Sequence, residues 1–137
     1  FFKVRDVIHS YAVDPDLRSL YSLSNFKEGS LELRDIYKFV GNKLIYCDIR
    51  KSDTLPYKDT LKTKKIYRDP LTSAYYLRNK LRYTKLKINE KIQLPMVITG
   101  KLYDLYVRYL GKETIEFSGK TYQTYKFSAK VISGTIF

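Results

Sequence analysis

Through most of this chain the side chains change sides at every residue, and that period of two leaves the backbone little choice but sheet. Phe2, Val4, Asp6 and Ile8 alternate with Lys3, Arg5, Val7 and His9. Residues 17–26 read as a second strand, with Tyr21 and Leu23 opposite Leu20. Leu31, Leu33, Asp35, Tyr37 and Phe39 mark a third. In a fourth, over residues 43–50, Ile45, Cys47 and Ile49 share one face and Leu44, Tyr46 and Asp48 the other. Turn chemistry separates these runs. Asp14-Pro15-Asp16 fixes a backbone angle at Pro and offers carboxylates to the backbone, residues 27–30 reverse the chain, and Gly41-Asn42 predicts a two-residue hairpin.

The second half repeats the pattern. Residues 59–67 form a weak, basic strand suited to an edge. Ile92, Leu94, Met96 and Ile98 alternate cleanly, while Pro95 points away and marks an edge or a bulge. Tyr103, Leu105, Val107 and Tyr109 form one face of the next strand, Gly111-Lys112 interrupts it, and residues 114–117 continue it. Tyr125, Phe127, Ala129 and Val131 oppose Lys126, Ser128 and Lys130. Asn89-Glu90, Thr99-Gly100-Lys101 and Ser118-Gly119-Lys120 supply the reversals. Eight or nine short strands with local turns predict an antiparallel meander, and strands in that number tend to curl.

One stretch breaks the rule. Over residues 68–83, Asp69 is a good N-cap and Pro70 suits the first helical position. Leu71, Ala74, Tyr75 and Arg78 then fall on one helical stripe, and Asn79 suits the left-handed residue that ends it. The spacing predicts a helix of about ten residues, plugging the mouth of the curled sheet. Residues 81–88 read as a connector or an edge.

At 137 residues the chain is one domain, long enough to bury a core without metal or disulfide. The single cysteine, Cys47, excludes an internal disulfide and sits at an inward position, as a small hydrophobe would. Charge is uneven. Residues 42–91 hold 14 Lys and Arg against 5 Asp and Glu, within a total of +12. That basic middle reads first as a solvated, edge-blunting face, and second as a surface for an anion. The 14 Tyr read first as sheet formers and second as walls of a binding surface. No apolar run approaches the length of a membrane-spanning helix.

Catalytic machinery is not evident. There is no phosphate-binding loop and no dinucleotide fingerprint, and one His with one Cys excludes the usual zinc sets. No catalytic residue, cofactor or metal site is therefore named. A triad would need His9, with Ser10 or another serine, and nothing resembles a nucleophile elbow. Asp35, on an apolar face, reads as a paired structural ion before an acid catalyst. Basic and aromatic residues interleave at Lys64-Lys65-Ile66-Tyr67-Arg68 and Arg82-Tyr83-Thr84-Lys85, as in single-strand binders. Without an RNP-like or helix-turn-helix pattern, nucleic acid is not the expected partner.

Three stretches carry a resemblance: F-K-V-R-D-V-I-H-S-Y-A-V-D-P-D-L-R-S-L (residues 2–20), D-P-L-T-S-A-Y-Y-L-R-N (residues 69–79) and G-K-L-Y-D-L-Y-V-R-Y-L-G-K-E-T-I (residues 100–115). Their order resembles the domain-of-unknown-function (DUF) family 3108, exported proteins of Gram-negative bacteria. The similarity spans most of the chain, through motifs that carry no chemistry. It implies a signal sequence, a periplasmic or envelope location and a mostly β domain, and no activity. Members extend beyond the Gly134–Phe137 end, so it also implies a further closing hairpin.

The expected fold is mainly β: an antiparallel, strongly curved sheet or open barrel, with one short helix packed against it. The expected function is non-enzymatic binding of a lipid-like, apolar or amphipathic envelope ligand, with Tyr75, Tyr76, Tyr103 and Tyr109 as contacts. The alternative is a structural or assembly protein that meets a protein partner or polyanion through a basic edge at Lys62, Lys64, Lys65 and Arg68.

Overall fold

The computed structural model describes residues 3–13, 15–83 and 85–133, with Tyr83 and residues 131–133 described by backbone alone. The expectations on Phe2, Asp14, Thr84 and residues 134–137, and on the side chains of Tyr83 and Val131, lie outside it. The fold is mainly β, with nine strands and one helix among the described residues.

The first five strands make one antiparallel meander: β1 (Val7–Val13), β2 (Arg18–Glu28), β3 (Leu31–Val40), β4 (Leu44–Lys51) and β5 (Tyr57–Lys62), paired in that order. The third and fourth strands alternate as their sequence predicts. Tyr37 and Phe39 oppose Cys47 and Ile45 in register, and all four are buried. Two details differ. The first strand starts at Val7, and Val4 makes only an isolated bridge to Glu28. The Gly41-Asn42 reversal takes in Lys43 as well, since Val40 pairs with Leu44.

The remaining strands form a second antiparallel sheet. β6 (Lys91–Gln93) and β7 (Met96–Ile98) both pair with the long β8 (Lys101–Phe117), which also pairs with β9 (Lys120–Ser133). Pro95 explains the gap between β6 and β7, because it has no N–H for a ladder. Gly111 does not end its strand. The register shifts between Tyr109 and Gly111, and β8 runs on. That bulge and one near Asp104 reset the alternation, so Tyr103, Tyr106 and Tyr109 are buried while Leu105 and Val107 are half-buried. Ser118 (φ 50°) and Gly119 (φ 71°) make a two-residue turn with both central residues left-handed, the geometry that matches hairpin twist.

The sheet does not roll into one barrel. The chain leaves β5, crosses to β1 through α1 (Pro70–Tyr83), and only then starts the second sheet. The later strands pair among themselves, so β1 and β5 remain the two edges of the first sheet. The sheets meet in a core of Tyr37, Phe39, Ile45, Cys47, Ile49 and Val97, flanked by Leu33, Leu61, Tyr67 and Leu102. Cys47 is buried there as expected, and burial pushes its thiol up to about 12.

The β7–β8 turn holds a strained residue. Ile98 pairs with Lys101, so Thr99 (φ 45°) and Gly100 (φ 73°) form a two-residue loop. A β-branched residue seldom adopts a positive φ, whereas Asn tolerates it and Asn-Gly is the favoured pair for such a turn. Thr99→Asn is therefore expected to stabilise the fold by about 1 kcal/mol, read as a higher midpoint in denaturant unfolding.

Candidate functional site

The helix is placed by a carboxylate. Asp69 caps α1 as its sequence predicts, with Oδ1 accepting the Thr72 N–H at 3.0 Å. It also does more than cap. Ser10 Oγ donates to Oδ1 at 2.7 Å, and Ser19 and Thr72 hydroxyls each donate to Oδ2 at 2.6 Å. Asp69 is fully buried, so four hydrogen bonds stand in for water. A bulge in β2 makes this possible. Tyr11 pairs with Tyr21 but Ala12 with Ser19, so Leu20 is the extra residue and is left about half exposed. The insertion turns Ser19 to the same face as Ser10 and Ser22. Leu20 is thus not the apolar partner across the strand that alternation predicts.

Arg68, one residue earlier, is 6% exposed. Its Nε donates to the Leu17 carbonyl and its Nη2 to the Asp16 carbonyl, both at 2.8 Å, and its guanidinium lies 3.9 Å from the Tyr76 ring centroid. Burial lowers its pKa. Arg68 therefore does not belong to an exposed basic edge. It locks the β1–β2 turn to the helix. Lys62, Lys64 and Lys65 are exposed, though only Lys62 lies on edge strand β5, and Lys65 pairs with Asp104 at 2.8 Å.

These anchors set which face of α1 is buried. Thr72 and Ser73 are buried, and Leu71, Tyr76, Leu77 and Leu81 are half-buried. Ala74, Tyr75 and Arg78 are exposed, so the predicted stripe is rotated from the true one. The apolar pattern misled because the surface beneath the first turn is serine, which takes a polar helix face. The helix also runs past Asn79 to Tyr83.

The exposed flank of α1 faces the β8–β9 hairpin across a groove of two adjoining lobes, about 520 and 460 Å³. Tyr75, Arg78 and Asn79 line the first, and Lys85, Leu86, Tyr109 and Lys112 the second. Leu81, Arg82 and Tyr125 line both. Tyr109 packs tilted against Tyr125, with centroids 6.0 Å apart, and against Phe127 at 5.4 Å. Lys112 Nζ lies 5.6 Å from the Tyr125 centroid. Four cations thus ring an aromatic and aliphatic floor, and none of the described residues lining it is Asp or Glu. Its size suits a small-molecule site.

Of the four tyrosines expected to bind, Tyr75 and Tyr109 meet in this groove. Tyr76 is occupied by Arg68, and Tyr103 is 3% exposed in the sheet interior. Sequence reasoning places Arg78, Lys112 and Tyr125 only on a helix stripe, at a strand break and on a strand face, and Arg82 only in the basic–aromatic run of residues 82–85. Counting outward from the Ser118-Gly119 turn pairs Lys112 with Tyr125 and would have found two of them. Arg78 and Arg82 sit four apart on the helix, hence on one side.

Asp35 is buried as expected of an inward position, but it makes no ion pair among the described residues. Its Oδ2 accepts the Tyr37 hydroxyl at 3.1 Å, and Oδ1 has no hydrogen-bond partner among the described residues. Burial pushes its pKa up, which the Tyr37 bond only partly opposes. His9 is exposed, and Ser10 serves Asp69.

The family model described as "Protein of unknown function (DUF3108)" matches residues 1–137, the whole chain. The chain belongs to the DUF3108 family. No curated protein and no solved structure matches it. Membership in DUF3108 carries no activity with it, so the chemistry of this DUF3108 domain rests on its own side chains. No helix among the described residues is long and apolar enough to cross a membrane, and no cluster of metal-ligating side chains occurs among them.

Proposed function

We propose that this domain is a non-enzymatic binding module for an amphipathic anion, held in the groove between α1 and the β8–β9 hairpin. A periplasmic or envelope location, where lipid-like anions are plentiful, goes with that function. One observation supports it above others: Arg78, Arg82, Lys85 and Lys112 surround Tyr75, Tyr109, Tyr125 and Leu81, with no carboxylate among the described lining residues. Cations at the rim suit a phosphate or carboxylate head, and the ring faces suit an alkyl or sterol body. The second function, pairing with a protein strand, has one feature in its favour. Among the described strands β5 pairs only with β4, which leaves its other edge without a partner strand.

Dodecyl phosphate below its micelle concentration is the direct probe. It is expected to bind the wild type, and the Arg78→Gln/Lys112→Gln double variant should bind about tenfold more weakly. Inorganic phosphate and dodecyl maltoside, each carrying half of the chemistry, should bind far less. Equal binding by the double variant, or binding of inorganic phosphate as tight as that of the alkyl phosphate, would refute the proposal.

A further inference from the structure

The face of the first sheet turned away from α1 carries a row of side chains that the groove does not use. Register aligns Tyr11, Tyr21, Lys38, Tyr46 and Thr60 across all five strands. Each flanks a residue on the inner face: Ser10, Ser22, Tyr37, Cys47 and Leu61 respectively, so all five point outward together. At one interstrand spacing per step the row is roughly 19 Å long. Tyr11 and Tyr46 are 62% and 44% exposed, and the Tyr11 and Tyr21 rings lie 6.0 Å apart, tilted by 57°. Beside the row, Ile36, Asp48 and Lys58 line an open trough of about 880 Å³, to which Cys47 and Asp59 of the neighbouring row also contribute.

We propose that this tyrosine–lysine row is a binding platform for an acidic glycan, with sugar rings laid on Tyr11, Tyr21 and Tyr46 and a uronate or sulfate on Lys38. The platform is independent of the groove and does not rest on it. Charge complementarity names the anion: Arg34, Lys38, Arg50, Lys58 and Lys62 share this face, against two carboxylates among the described residues lining the trough, Asp48 and Asp59. Asp48 decides between a glycan and a single-stranded nucleic acid, which also stacks on rings beside cations. Its carboxylate is fixed by Arg50 at 3.2 Å and by Lys58 at 3.7 Å, beside the tyrosines. A fixed carboxylate accepts hydrogen bonds from the free hydroxyls that each sugar ring of a glycan carries, which the deoxyriboses within a DNA strand do not offer. Thr60 adds a hydroxyl at the end of the row.

Calorimetric titration of the full chain with a galacturonate hexamer tests the platform, with a neutral glucose hexamer and a twelve-nucleotide oligo-dT as the other arms. The uronate should bind more tightly than either. Tyr11→Ala and Tyr46→Ala, both at exposed positions, should each weaken it by about tenfold with the unfolding midpoint unchanged. Lys38→Gln should flatten its salt dependence. Uronate binding that falls with salt but stays within twofold in both tyrosine variants would overturn the platform and leave a general charge effect. So would no binding, or oligo-dT binding more tightly through the same tyrosines. None of these outcomes bears on dodecyl phosphate in the groove.

Discussion

Asp69→Ala is expected to destabilise the protein by about 3 kcal/mol, among the larger effects a single substitution can have. The loss of the helix cap contributes about 1 kcal/mol. The rest comes from hydroxyls that lose their acceptor. Ser19 and Thr72 are buried, and both donate to a carboxylate that the variant lacks. Because Ser10, Ser19 and Thr72 lie on β1, β2 and α1, the substitution unclips the helix from the first sheet as well as uncapping it. Asp69→Asn keeps one acceptor oxygen and should lose about half as much, as its amide cannot accept from the hydroxyls that Oδ2 now serves. Denaturant unfolding reads both values as midpoint shifts at constant m-value. A shift of less than about 0.5 kcal/mol for Asp69→Ala would mean that the helix is held by something else.

Tyr37→Phe is the second large effect, at about 2 kcal/mol, although it deletes a single oxygen. That oxygen accepts the Gly100 N–H at 3.0 Å and donates to Asp35 at 3.1 Å. All three groups are buried, so removing it strands a donor in the β7–β8 turn and an acceptor on β3. Gly100 has little room to adjust: a side chain there would meet the Tyr57 ring at 2.9 Å. Burial and the nearby Asp35 charge raise the Tyr37 pKa, so its phenol stays neutral and keeps donating.

The same cluster sets a pH dependence. Burial raises the pKa of Asp35 above its ordinary 3.8, so the folded state holds the proton longer than the unfolded chain does. The associated stability is fully present below the unfolded pKa and is lost as pH rises through the raised folded value. Asp35→Asn cannot titrate. The variant should show a flatter fall in stability from about pH 4 toward neutrality than the wild type. Parallel curves for the two proteins would remove Asp35 from that account of the pH profile.

What the sequence showed and what it hid divide along the range of the forces involved. Asp69-Pro70 announces the helix because capping is a matter of three or four consecutive residues. The alternations over Leu31–Val40 and Leu44–Lys51 announce β3 and β4 because each strand reports its own two faces. The split into two sheets was hidden, since it depends on where the chain goes between Lys62 and Lys91, and pairing partners are not local. Burial of Arg68 was hidden because its partners are carbonyls of Asp16 and Leu17, some fifty residues away, and carbonyls have no sequence signature. Bulges did the remaining damage. One extra residue at Leu20 reverses the inside and outside of the start of β2, and a shift near Gly111 does the same in β8. The groove was half legible for the same reasons: Tyr75 and Tyr109 stood out by residue type, while Tyr125 and Lys112 join them only once the hairpin register is known.

The groove is tested most directly by backbone amide chemical-shift mapping with dodecyl phosphate. Perturbations should concentrate at Tyr75, Arg78, Leu81 and Arg82 on α1 and at Tyr109, Lys112 and Tyr125 on the hairpin, two segments far apart in sequence that shift together and saturate at one concentration. Shifts confined to the Tyr11–Tyr46 face or spread over every surface lysine, or an unchanged spectrum at saturating ligand, would contradict a binding site between the helix and the hairpin.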